Sequence, residues 1–290
     1  MKKNGIVTTI MFAVVVLLMV AIVALGIVTV IKHKRDTENV ADTTPVPTEA
    51  VSTPEATYTP TPTFTPTPTD TPTPEPKGKV CLDPGYQMNY NSETEPVGPG
   101  SEEQIPKMAS IGGVNESLNL KQYEWNLLMA QLVKDELERR GYIVILTRTD
   151  NETNISNMER ALLANENNAD VLVGIQTDSF SDDSVSGVYA QIAESNNPYA
   201  GGRAAENKKL ANLIQTAVVE ATGAKSRSIQ NGNNRLALLN WAQMPACIMR
   251  LGYLSNPQEA ANLCDEAYRN RMANAICDGI EAFLETRQAQ

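Results

Sequence analysis

From about residue 77 onward the chain alternates short apolar runs with longer stretches in which apolar residues recur every three or four positions. Runs of the first kind, at 79–83, 143–147, 171–175, 187–192 and 246–250, predict strands. The uninterrupted apolar run at 171–175 suits a sheet covered on both faces. A further short strand is expected at 236–239. The helical period is clearest at 122–140, where Trp125, Leu128, Met129, Leu132, Val133 and Leu137 fall on one face and Gly141 stands at the C-cap. Ser156-Asn157-Met158-Glu159 is a capping-box pattern opening a helix that runs to about residue 168. Helices at 204–221 and 266–284 complete the set. This alternation predicts an α/β domain over 77–290, with a mainly parallel sheet flanked by helices. Residues 87–121 lack periodicity and are rich in Gly, Pro, Asn and Ser, which predicts a long loop.

The N-terminal quarter has a different pattern. After a tail at 1–5, residues 6–31 are an almost uncharged apolar run interrupted only by threonines. That is long enough to span a bilayer core, and it predicts an uncleaved, single-pass transmembrane signal-anchor. Residues 32–76 follow, dominated from Thr43 by Thr and Pro with repeated Thr-Pro-Thr-Pro. Such a segment has too little apolar surface to pack, so a disordered, extended linker is expected. An anchor followed by a spacer places the C-terminal domain outside the cell membrane, on the wall side, although the basic flank Lys32, Lys34 and Arg35 alone would favour the reverse orientation.

Charge narrows the partners. The chain carries a formal net charge of −10, with 24 basic and 34 acidic residues, and no acid precedes Asp36. A C-terminal region this acidic is a poor binder of nucleic acid. Cys81, Cys247, Cys264 and Cys277 have no Cys-x-x-Cys spacing. Cys81 and Cys247 fall in expected strands as small core residues, and a Cys264–Cys277 bridge is left open. The single histidine, His33, lies beside the apolar run and far from the domain.

In an open α/β sheet, ligands bind beyond the carboxyl ends of the strands. Tyr86, Gln176 and Arg250 are expected there, and Glu124 opens the first long helix near the same rim. The motifs around these positions are Val80-Cys81-Leu82-Asp83-Pro84-Gly85, Glu124-Trp125-Asn126-Leu127, Leu146-Thr147-Arg148, Glu159-Arg160-Ala161, Ala169-Asp170-Val171 and Leu251-Gly252-Tyr253-Leu254-Ser255-Asn256-Pro257. In this order they resemble the zinc-dependent N-acetylmuramoyl-L-alanine amidases that cut stem peptides from peptidoglycan glycan strands. The resemblance implies a phosphorylase/hydrolase-like α/β fold. It also implies a zinc ligand at the position of Tyr86, a second at Glu124, a third at Gln176, and a catalytic Glu at the position of Arg250. In the active pattern the first and third ligands are histidines, so only Glu124 is retained.

The consequences follow from the side chains. A catalytic zinc needs about three good protein ligands. A phenol must lose a proton of pKa ~10 to bind well, and a guanidinium is never a base near neutral pH. No zinc or other cofactor is therefore expected, and no residue is expected to be catalytic. The expectation is a membrane-anchored, wall-facing pseudoenzyme that binds peptidoglycan or muropeptide fragments, or a wall-remodelling or division protein. Its site would hold Glu124, Arg250, Tyr86 and Gln176, with Arg250 occupying the vacated metal position and paired with Glu124. The alternative is an active amidase with rearranged metal ligands such as Tyr86, Glu124 and Asp178. The third is a structural spacer. Arg148 and Arg160 are expected to be structural, Trp125 to be core, and Ser255 and Asn256 to organise a turn and helix start.

Overall fold

The computed structural model describes residues 75–232 and 234–288. Ten strands and six α-helices follow in chain order: β1 (Lys79–Pro84), β2 (Asn91–Pro96), β3 (Gln104–Met108), β4 (Val114–Asn115), β5 (Leu120–Lys121), α1 (Gln122–Arg139), β6 (Ile143–Leu146), α2 (Asn157–Glu166), β7 (Val171–Asp178), β8 (Val188–Ile192), α3 (Ala204–Thr222), β9 (Gln230–Asn231), α4 (Ala237–Trp241), β10 (Ala246–Tyr253), α5 (Pro257–Cys264) and α6 (Glu266–Gln288). The six-stranded sheet has the order β6-β1-β7-β10-β8-β9. Its first four strands run parallel; β8 is antiparallel to β10, and β9 runs parallel to β8.

Both faces are covered, which is why the central strands read as unbroken apolar runs. On one face Val80, Leu82, Val173, Ile175, Cys247 and Met249 pack against α1, α3 and α6 through residues such as Trp125, Met129, Leu210, Ile214 and Ile276. On the other face Cys81, Leu172 and Ile248 pack against α2 and α4 through Ala161, Ala164, Leu238 and Leu239. Helix α2 opens on the expected capping box, with Ser156 accepting from the Glu159 amide and Glu159 returning to the Ser156 amide. Asn256 caps α5 through the same kind of bond. The buried Trp125 indole donates to Leu263 O at 2.9 Å, locking α1 to the end of α5.

Several expectations are corrected. Residues 237–239 open helix α4 instead of a strand, with Leu236 as its extended N-cap residue, because a short apolar run carries no period that separates the two. The 87–121 stretch is not a plain loop but two hairpins, β2–β3 and β4–β5. Leu128 is 41% exposed and lies off the buried face of α1. Cys264 and Cys277 are free, the first exposed and the second buried, so no bridge joins them. The expected anchor has no support: among the described residues no helix is long and apolar enough to cross a membrane. The span expected at 6–31 lies outside the described residues, as does the spacer up to residue 74. The single-pass membrane anchoring and the wall-side location built on it are therefore withdrawn.

Candidate functional site

The carboxyl rim of the sheet is organised by the turn that follows β1. Asp83 and Arg160 form an ion pair of 2.8 Å, with both side chains almost fully buried. Thr147 Oγ1 donates to the same Asp83 oxygen. Arg160 then donates to the carbonyls of Pro84 and Tyr86 and to Gln87 Oε1. Arg148 donates to Pro84 O at 2.8 Å and to Tyr123 O at 2.7 Å. Asn126 Nδ2 donates to Gly85 O at 3.0 Å, while its Oδ1 accepts from the Thr177 amide at 2.9 Å. Burial first, and then the neighbouring Arg160 cation, pull Arg148 down to about 10. Arg148 and Arg160 are thus structural, as expected: they satisfy the carbonyls of a turn that has left the β-ladder.

The clamp holds an unusual backbone. Tyr86 has φ +62°, a left-handed conformation that costs a bulky residue energy and persists only where its surroundings enforce it. Gly85 is needed beside it, since a Cβ there would lie 2.3 Å from the Gln176 side chain.

Strand register supplies the rest. Arg250 on β10 is the partner of Gln176 on β7 and of Tyr189 on β8. With period-two alternation, all three side chains leave the sheet on the α2/α4 face. Arg250 Nε donates to Gln191 Oε1 at 3.0 Å, and Nη1 donates to the Tyr86 hydroxyl at 3.3 Å and to Thr177 O at 3.4 Å. Burial works against the guanidinium's charge, but Tyr86 and Asp178 outweigh it, and its pKa is raised. Gln176 is 8% exposed.

Tyr86, Gln176 and Arg250 line one cavity of about 170 Å³, together with Ser110, Asn157 at the start of α2, and Arg235. The sequence placed these three at the rim, and the structure brings them together. It does not bring Glu124 to them. Glu124 pairs with Lys121 at 2.8 Å and its side chain is 40% exposed. The expected Arg250–Glu124 pair does not form. Asp178, the alternative oxygen ligand, is engaged by the Tyr189 hydroxyl and by the Ser179 amide. Gln191 and the β2–β3 wall of the cavity escaped the sequence reading. The alternation in β8 carried the signal for Gln191, which shares its face with Tyr189.

The donor set does not fit zinc. Around the cavity stand a phenol already accepting from a guanidinium, a carboxamide and that guanidinium, whereas zinc needs about three anionic or imidazole ligands. Among the described residues no three of His, Cys, Asp and Glu gather as a metal-binding group.

The profile of the N-acetylmuramoyl-L-alanine amidase family matches residues 80–282. The chain belongs to that family. Among its amidase relatives, the germination-specific N-acetylmuramoyl-L-alanine amidase of Bacillus subtilis (strain 168) is 26% identical, over 62% of this chain and 75% of that protein. The uncharacterized protein YqiI of the same organism is 27% identical, over 55% of this chain and 73% of the relative. The amidase of Clostridium difficile 630 superimposes with a TM-score of 0.59 at 25% identity, covering 72% of this chain and 98% of that one. Ami1 of Mycobacterium smegmatis, at 21% identity and a TM-score of 0.65 over 73% of this chain and 98% of its own, shares the fold. In this amidase-family domain the cavity at the carboxyl rim of the sheet is lined by Tyr86, Gln176 and Arg250.

Proposed function

We propose that this amidase-family domain binds peptidoglycan fragments without hydrolysing the muramoyl–alanine amide bond, and that it does so without zinc. The observation that carries the reading is the seat of Arg250, whose guanidinium donates to the Tyr86 hydroxyl at 3.3 Å where the family resemblance calls for a carboxylate base. Metal-assisted amide hydrolysis requires a polarising ion, a bound water and a base poised near the working pH. A guanidinium stays protonated there and repels a divalent cation. The rearranged-ligand hydrolase loses ground, because Asp178 is committed to Tyr189 and Glu124 to Lys121.

The test uses the full chain with purified sacculi. Co-sedimentation with sacculi is expected, with no release of alanine amino termini above buffer, with or without added zinc. Release that disappears in Glu124→Ala would restore the hydrolase. Failure to sediment with sacculi would remove the binding reading.

A further inference from the structure

Two features of the rim cavity remain unused by the fold. Gln176 is more than nine-tenths buried, yet among the described residues its carboxamide has no hydrogen-bond partner in the protein, and it lines the cavity. Arg250 spends Nε and Nη1 on Gln191, Tyr86 and Thr177, leaving Nη2 without a partner among them. The other cation lining the cavity, Arg235, is bridged to Glu103. No Asp or Glu is among the lining residues. A guanidinium with a free nitrogen, a phenol and an unpaired carboxamide around a space without acids form a receptor for one anionic oxygen pair. At about 170 Å³ the space is smaller than the ~300–1,000 Å³ that encloses a whole small molecule. It takes one group and leaves the remainder on the rim.

We propose that this group is a carboxylate, and specifically the one that appears on the muramoyl lactyl arm once the muramoyl–alanine amide has been cut. The inference rests on the binding reading above. Hydrolysis of that amide consumes one water and yields a carboxylate on the muramoyl side and an ammonium on the alanine side. Arg250 stands where the family resemblance places the reaction, and a fixed cation there discriminates the acid from the neutral amide. The domain is then a reader of the amidase product: hydrolysis by a competent amidase supplies its preferred ligand, and an intact stem-peptide attachment binds more weakly.

The experiment titrates the full chain, followed by NMR, with four probes: N-acetylmuramic acid, its methyl amide, N-acetylglucosamine and N-acetyl-L-alanine. The acid is expected to bind at least about tenfold more tightly than the methyl amide at neutral pH, the worth of one charge-assisted hydrogen bond. Arg250→Gln should abolish that preference and Arg250→Lys should keep part of it. The comparison of acid with amide needs no variant, so a misfolded variant does not blunt it. Equal affinity for acid and amide overturns the proposal, and if sacculi still bind, the binding reading survives it. Equal affinity for N-acetyl-L-alanine and muramic acid overturns the muramoyl assignment and makes the site a reader of peptide termini. No binding of any probe or of sacculi removes both readings.

Discussion

Arg160 and Asp83, 2.8 Å apart and almost wholly buried, hold the turn that carries Tyr86 into the rim. One Asp83 oxygen takes both Arg160 and Thr147, and the other has no partner among the described residues. Removing one member of a buried pair strands the other charge and costs about 3–5 kcal/mol. Arg160→Leu is therefore expected to lower the denaturation free energy by about that much, and to release the backbone of Pro84 and Tyr86. Chemical denaturation measures the first effect, and the Tyr86 amide resonance the second. A variant within about 1 kcal/mol of the parent would mean that the pair is dispensable.

The site can be rebuilt toward the pattern implied by the resemblance. Tyr86→His, Gln176→His and Arg250→Glu together, with Glu124 retained, are expected to bind about one zinc per chain. Histidine tolerates the left-handed backbone at position 86 better than most side chains. Glu124 can leave its exposed pair with Lys121 at little cost. Metal analysis after gel filtration decides the matter. The parent and Arg250→Glu alone should carry none. A triple variant that takes no zinc would mean that these positions do not converge as a ligand set.

What the sequence disclosed and what it hid follow one physical line. Buried parallel strands had to be apolar throughout, so β1, β7 and β10 were legible, and the Ser156–Glu159 box marked the start of α2. The β2–β3 hairpin was hidden because Asn91–Pro96 shows almost no apolar alternation, its one nearly inaccessible side chain before the final proline being the charged Glu95. That carboxylate is raised by burial and accepts from the Met158 amide at 3.1 Å, a long-range role that no local pattern announces. The convergence of Tyr86, Gln176 and Arg250 followed from strand ends alone. The fate of Glu124 did not, because its i−3 neighbour Lys121 competes on the helix surface for the charge that Arg250 was expected to meet.

Acid sensitivity should appear on the opposite side of the molecule. Hydrogen bonds from Arg139, and then from Arg140, hold Glu136 down to about 2 from 4.5. A depressed folded pKa contributes stability that is present above the unfolded value and is lost as pH falls through the folded one. Glu136→Gln should thus be less stable than the parent by about 1 kcal/mol at pH 6, allowing for solvent screening of the pair. The difference should fade between pH 4.5 and about 2. Melting curves of both proteins across that range test it, and a difference independent of pH would assign the effect to packing.

Helix α6 is seated closely on α3, and Gly279 shows how closely. A Cβ at this position would fall 2.4 Å from Ile214 Cα and 2.7 Å from Ile214 N. These are backbone atoms, which cannot rotate aside. In an exposed helix interior, alanine in place of glycine gains about 1 kcal/mol. Here the helices would have to separate along a seam that includes Ile214, Ile276 and Ile280, and overpacking of that kind costs about 1–3 kcal/mol. The sign of the substitution therefore reverses. Gly279→Ala is expected to lower the urea midpoint, whereas Gly202→Ala, whose Cβ would meet nothing within 4 Å, should leave it unchanged or raise it. If Gly279→Ala raised the midpoint as well, the close approach of α6 to α3 would be wrong, and with it the support that these helices give to the face of β7 and β10 opposite the cavity.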